Sequence, residues 1–283
     1  MLAWVPALRR SCVAVAVVNA AGFVVTAATG SHKITDLCGT AGFIASAAVA
    51  LRFAPTPLAL RSRLLGAAAI VWGVRLGGYL GYRVVQTGDD ERLRPFFRAP
   101  GEAPLDWTRS AFPLKLAGFW TAQSVWAIAV SLPVTLAIAM PRASAAAAPL
   151  GTLGAAGAAL FIAGLALETV ADAQKFAFKR DPNNRGAHCA VGVWQWSRHP
   201  NYAGEIVLWS GLTLLAAPAL ARAPAALALS LVSPALTAAL LLGVSGVPLL
   251  EAQHDAKYGA DAAYVEWKRR TPCVFPNVLR FVR

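Results

Sequence analysis

LLGAAAIVWGVRLGGYLGY, residues 64–82, decides the class of this protein: the run is about as long as a hydrocarbon core is thick, and Arg75 is its one charge. Gly73, Gly77 and Gly81 recur every four residues, which on a helix makes a flat ridge for a second helix. Arg75, Tyr79 and Tyr82 share a stripe on nearly the opposite face. An arginine at membrane depth is costly unless it meets an acid, a carbonyl or a polar ligand. The other reading is a guanidinium snorkelling among interfacial tyrosines, and spacing does not choose between them.

Working outward, comparable runs predict seven spans: Ser11–Ala28, Leu37–Leu51, Leu64–Tyr82, Leu114–Met140, Leu150–Leu167, Gly204–Ala221 and Ala225–Leu250, the second being the shortest. The chain is 57% hydrophobic and 14% charged, too apolar for the surface of a water-soluble domain. The expected fold is therefore all-α and polytopic, with about seven transmembrane helices and a polar face on one side of the bilayer. Arg9 and Arg10 before an apolar run are also the pattern of a cleaved leader, but the run is long and has no tidy small-residue cleavage site, which favours a retained helix.

Charge placement gives orientation. With seven spans, 7 basic residues fall on the side of the first connection-free end and 18 on the other, together with all 14 acids. The positive-inside rule then puts the amino terminus outside and the carboxyl terminus on the cytosolic side. A net charge of +12 would suggest nucleic acid in a soluble protein, but here the basic residues flank spans and sit beside acids. Anionic lipid head groups or a phosphate-bearing cofactor are the expected partners, and nucleic acid is not. Cys12, Cys38, Cys189 and Cys273 have no paired spacing, so neither a disulfide framework nor a metal site is signalled.

Polar residues gather after the fifth span. Glu168, Asp172, Lys175 and Lys179 fall within about 60° on one helix face. Two acids and then two lysines make either an internally paired surface stripe or a set of groups for a mononucleotide. The turn-rich Asp181–Gly186 follows, and then SRHPNYAGE, residues 197–205. Pro200 suits the first position of a helix, whose free N–H groups with Arg198 and His199 would make an anion site. Tyr202, Glu205 and Trp209 share a face of the sixth span, and a carboxylate entering a membrane helix is a functional candidate. Beyond the seventh span, Glu251, His254 and Tyr258 form a second stripe, ahead of the Lys268, Arg269 and Arg270 cluster that reads as lipid-binding. The loop Val84–Pro113, with Asp89, Asp90, Glu91, Arg92, Arg94 and Arg98, reads as a solvated charged connection.

ADAQKFAFKRDPNNRG (171–186), GVWQWSRHPNYAGEIVLWSG (192–211) and SGVPLLE (245–251) together resemble the steroid 5-alpha-reductase family, in particular its broad branch of uncharacterised membrane proteins. The resemblance extends to VWGVRLGGYLGYR (71–83), GDDERL (88–93) and FWTAQSVWAIAVSLP (119–133), and covers about residues 64–276. It implies a division into amino-terminal membrane helices, 1–63, and a reductase-like membrane domain, 64–283. It also implies hydride transfer from NADPH to an activated carbon–carbon double bond of a lipid or steroid-like substrate. Carried over by position, the cofactor pocket would include Asp172, Lys179, Arg185, Asn201, Tyr202, Glu205, His254 and Tyr258; Lys175, Arg198, His199 and Glu251 join them from the charge pattern. Tyr79 and Tyr82 lie near the family's substrate-polarising tyrosine, and with Glu205 they are the catalytic candidates. The implied location is the endoplasmic reticulum or another endomembrane or plastid membrane.

One departure stands out. Steroid-reducing members pair that tyrosine with a glutamate in an early span, whereas this chain has no acid between Asp36 and Asp89, which argues against a 3-oxo steroid. The isoprenylcysteine and phospholipid methyltransferases, which use S-adenosylmethionine, resemble the same carboxyl-terminal region. They carry paired glutamates after the last span, where this chain has Glu251 followed by Ala252, and they lack a counterpart of ADAQKFAFK. A lipid-binding scaffold without chemistry is the third alternative.

Overall fold

The computed structural model describes residues 4–87, 93–99, 101–141 and 150–275. Asp89, Asp90, Glu91 and Arg92 of the charged connection lie outside the described residues. Among those described there are helices and no strands, and six helices are long and apolar enough to cross a membrane. The chain forms two compact units, Met1–Gly151 with Leu215–Val232, and Thr152–Leu214 with Ser233–Arg283.

The first unit is built on α1 (Val5–Thr29), α2 (Thr35–Arg52), α3 (Leu60–Thr87) and α4 (Leu114–Ile138). Short connections make α1, α2 and α3 successive antiparallel neighbours. The glycine ridge of α3 sets the spacing: a Cβ at Gly73 would come 2.7 Å from Ile44, one at Gly77 2.6 Å from Thr40, and one at Gly81 3.0 Å from Leu37. Close helix approach is what small residues allow where lipid removes most of the hydrophobic drive for helices to associate. α2 is the shortest predicted span and is not one of the six most apolar helices, because Asp36 and Arg52 occupy its end turns. Its 18 residues nevertheless pack against both longer neighbours, α1 and α3.

Polar glue joins α4 to this group. Gln123 donates to Asn19 Oδ1 at 2.9 Å, Trp120 Nε1 to Thr26 Oγ1 at 3.1 Å, and the Ser46 and Thr135 hydroxyls meet at 3.1 Å. Phe43 sits edge-on to both Trp72 and Trp126, with ring centroids 4.9 and 4.8 Å away. The connection to α4 is less solvated than the sequence suggests. Glu102 is buried and accepts from Ser110 Oγ, from Ala99 N at 2.8 Å and from Ser110 N at 2.9 Å. Those donors, the Ser110 hydroxyl foremost, hold its carboxyl below the usual range.

In the second unit, α5 (Gly151–Arg180) and the first part of α6 (Pro200–Leu220) cross at two pairs of glycines. A Cβ on Gly211 would come 2.7 Å from Gly157 O, and one on Gly204 2.7 Å from Gly164 O. Pairing 157 with 211 and 164 with 204 makes the crossing antiparallel. It brings the α5 backbone at Glu168 beside Gly204, where that same Cβ would lie 2.7 Å from Glu168 N.

The seventh predicted span lies within Pro224–Tyr258, one of the six stretches long and apolar enough to cross a membrane, but it is interrupted along its length. It divides into α7 (Pro224–Ser230), which packs on α4, α8 (Val232–Ala239), a wide π turn at Leu240–Val244, and α9 (Val247–Tyr258). Ser245 N donates to Leu240 O at 2.8 Å and so closes the wide turn. Gly246 has no room for a side chain, since a Cβ there would lie 2.3 Å from Leu241 O, and Pro248 starts the next helix in its first turn. A short helix, α10 (Ala262–Arg270), completes the unit.

Candidate functional site

A cavity of about 250 Å³ opens in the second unit, between the end of α5, the turns that follow it, α9 and α10. Lys175 and Lys179 come from α5, Arg198 from the turn before α6, and Lys257 from α9. The aromatic part of the wall is Phe178, Trp194, Tyr258 and Trp267, and His188 and His254 add two imidazoles. Among the described residues, no carboxylate belongs to this lining.

Local sequence explains why the wall holds together. Gly192 takes a left-handed conformation at φ 53° and lies against the amide of Gln174, which leaves room there only for glycine. Gln174 Oε1 accepts from Val193 N at 2.9 Å, and Trp194 Nε1 donates to Ala171 O at 2.9 Å, so the loop is stitched back to α5. The Lys175 ammonium then lies 4.4 Å from the centre of the Trp194 ring. Trp267 Nε1 reaches Trp194 O at 3.2 Å, which ties α10 to the same loop.

Behind the cavity stands a charge network. Glu251 Oε2 takes Arg198 Nη1 at 2.8 Å and Lys268 Nζ at 3.0 Å, while Oε1 faces His199 Nε2 at 2.8 Å. Lys268 also meets Asp255 Oδ1 at 2.5 Å, one turn further along α9, and Tyr264 OH donates to the same oxygen at 2.8 Å. Burial first, and then that bond, push the Tyr264 phenol up to about 12; its two acidic partners raise Lys268 despite desolvation. The following segment is fastened too: Ser197 Oγ donates to Val274 O at 2.5 Å and Arg198 N to Pro272 O at 3.0 Å.

These positions revise several expectations. Arg198 and His199 do hold an anion, but it is Glu251 of the chain itself. Lys268 belongs to this network, while its neighbours Arg269 and Arg270 pair with Glu266 at 2.9 and 3.0 Å on the outer face. The stripe from Glu168 to Lys179 is divided, for Glu168 and Asp172 are buried at 3% and 6% exposure and only the two lysines face the cavity. Lys175, Lys179, Arg198, His254 and Tyr258 are thus brought together. Asn201, Tyr202 and Glu205 are half-buried on the first turns of α6 and do not line this cavity, Tyr202 lying flat on the His199 ring with centroids 5.3 Å apart. Arg185 is exposed in its turn, outside the lining.

In the first unit, Tyr79 is half-buried with the guanidinium groups of Arg75 and Arg83 at 5.8 and 6.0 Å from its ring centre, and Tyr82 is exposed. Arg83 pairs with Asp36 at 3.3 Å. His188 and Lys257 line the cavity without a sequence signal for the site, and Trp267 joins them from the aromatic-basic stretch after the last span. The imidazole of His188 packs on Tyr264 and Trp267 at 5.5 and 5.1 Å between centroids. Its signal was weak, a lone histidine just past a turn-rich break. Among the described residues, His199, Glu251 and Cys273 also bring possible metal-ligating atoms within 4.8 Å of one another, although the carboxylate is already engaged by Arg198 and Lys268.

No curated protein and no solved structure matches the chain. One family model, described as a protein of unknown function (DUF1295), matches residues 22–271, and the chain belongs to that family.

Proposed function

We propose that this is a membrane-embedded, NADPH-dependent reductase of an activated carbon–carbon double bond in a lipid or steroid-like enone. The observation that carries the reading is the cavity wall: among the described residues it has four cations, four Phe, Trp or Tyr rings and no carboxylate. That donor set suits a phosphate-bearing ligand with a flat ring system. S-Adenosylmethionine has no phosphate, and its sulfonium would add positive charge to a cationic wall. Resemblance of residues 64–276 to the steroid 5-alpha-reductases supports the same choice.

At about 250 Å³ the cavity is smaller than the roughly 300–1,000 Å³ common for ligand pockets. It would therefore receive one phosphate-bearing half of the cofactor. Lys175, Lys179, Lys257 and Arg198 would hold phosphate oxygens, and Trp194, Tyr258 and Trp267 would flank the ring. When bound, NADPH supplies a hydride for the β-carbon of the substrate. Tyr79, with Tyr82 next in line, would donate a hydrogen bond to the substrate carbonyl and stabilise the enolate, and a proton from solvent would complete the saturated product at the α-carbon. Glu205 keeps its place as a candidate on the α6 face. The distribution of basic residues supports a carboxyl terminus on the cytosolic side of the membrane.

The test is thermal unfolding of detergent-purified protein with NADPH and with S-adenosylmethionine, side by side. A ligand that binds only the folded state adds about 2.7 kcal/mol at a hundredfold excess over its dissociation constant. Stabilisation by NADPH is expected. Stabilisation by S-adenosylmethionine alone would replace hydride transfer with methyl transfer, and none by either would point to a lipid-binding protein without this chemistry.

A further inference from the structure

Arg198 has two environments: it lines the cavity, and its Nη1 is bonded to Glu251. Glu251 is not in the lining, and neither is Lys268. The same carboxylate oxygen, Oε2, serves both cations, at 2.8 Å to Arg198 and 3.0 Å to Lys268. The Glu251 side chain is 16% exposed, so water screens the contest for it poorly. Asp255 holds Lys268 in place from one turn along α9, and Tyr264 holds Asp255.

We infer that Lys268 is a positioning residue for the cavity: by sharing Glu251 it leaves part of the Arg198 charge available to an anionic ligand that Lys268 itself does not touch. Two permanent cations, Arg198 and Lys268, divide the negative charge of Glu251 between them. Without the ammonium, Arg198 becomes, among the described residues, the sole permanent cation on that oxygen and is held more tightly away from the cavity. With the carboxylate neutralised, Arg198 is released toward it. The two changes therefore have opposite signs, which a simple loss of structure does not produce. The inference rests on the reading that the cavity takes an anion, but not on that anion being NADPH.

The experiment measures dissociation constants of NADPH and of inorganic pyrophosphate on the full-length detergent-purified protein. Wild type is compared with Lys268→Met, Lys268→Arg, Glu251→Gln and the double variant Lys268→Met/Glu251→Gln. Expected are about fivefold or more weakening in Lys268→Met, a magnitude ordinary for coupling between sites, recovery in Lys268→Arg, and tighter binding in Glu251→Gln. In the Glu251→Gln background, Lys268→Met should have no further effect, because the relay has been removed. Unchanged affinity in Lys268→Met, or weakening that persists in full in that background, overturns the inference. If Glu251→Gln does not fold, the contrast between methionine and arginine at 268 decides. Binding of pyrophosphate but not NADPH would sink the reductase reading while the same comparison still tests Lys268; wild type that binds neither anion overturns both.

Discussion

Lys257 shows what a single side chain adds to the cavity. It lies on the last turn of α9 and lines the wall beside Tyr258, with its ammonium 5.0 Å from that ring centre. Lys257→Ala should weaken NADPH by roughly ten- to a hundredfold, the scale of one hydrogen bond to a charged group, with little change in melting temperature; equal binding in a titration would remove Lys257 from the site. Tyr79→Phe should lower turnover and leave NADPH affinity alone, since the phenol is assigned to the substrate; unchanged turnover moves that role to Tyr82. Tyr264 carries a pH signature. Its pKa is raised from 10.0 to about 12 in the folded protein, so its stabilising contribution is complete below pH 10 and is lost as pH climbs through about 12. Alkaline unfolding of Tyr264→Phe should lack that part of the slope, and an unchanged profile would show that the phenol is not what the rise in pH removes. At this scale the sequence was half legible. Lys175, Lys179, His254 and Tyr258 could be found from helical spacing and Arg198 from its place just before Pro200, but neither signal revealed that Glu251 would occupy Arg198 and His199, because that contact joins residues 52 and 53 apart along the chain.

At the scale of elements, glycines decide how closely helices meet. The ridge on residues 73, 77 and 81 was plain from its period of four, and it packs on α2 as such ridges do. The α5–α6 seam was harder to see, because Gly157 and Gly164 recur every seven residues and their partners Gly204 and Gly211 lie on another helix. Gly211→Ala would put a methyl 2.6 Å from Phe161 N and 2.7 Å from Gly157 O. It should cost about 1–3 kcal/mol, as overpacked contacts do, and lower the detergent melting temperature. Gly118→Ala, where nothing lies within 4 Å, is the matched control and should not. Equal melting of both variants would mean that the seam is not tight. The break at residues 240–246 escaped notice because its residues are nearly all apolar, and hydropathy measures transfer into lipid, not the course of the backbone.

For the whole molecule, the bulk composition already signalled a polytopic helical protein, and six apolar helices bear it out. Composition was least informative at α2, whose charged ends lower its apolar character although it lies between α1 and α3 along its length. If α2 crosses the bilayer, its two connections face opposite compartments. Cysteines placed at the exposed positions Lys33 and Pro55 should then react with an impermeant maleimide from opposite sides of sealed vesicles. Labelling of both from one side would make α2 a non-crossing helix and reverse the orientation of everything before it. Arg61 shows why orientation by counting is coarse: this residue is 3% exposed and donates to Leu215 O at 2.6 Å, so its charge serves the interior of the first unit, not a lipid head group.

The fastening of residues 272 and 274 to Arg198 and Ser197 has a consequence for biosynthesis. The chain emerges amino terminus first, so α5 and the loop with Trp194 are made long before Trp267, Lys268 and the segment that pins Ser197. A ribosome that stops short of residue 267 would leave a polypeptide whose spans are already synthesised but whose cavity lacks a wall. Quality control that surveys only the apolar helices would pass it. The cell would then hold an inserted protein in which Lys175, Lys179 and Trp194 face no partner wall from α10.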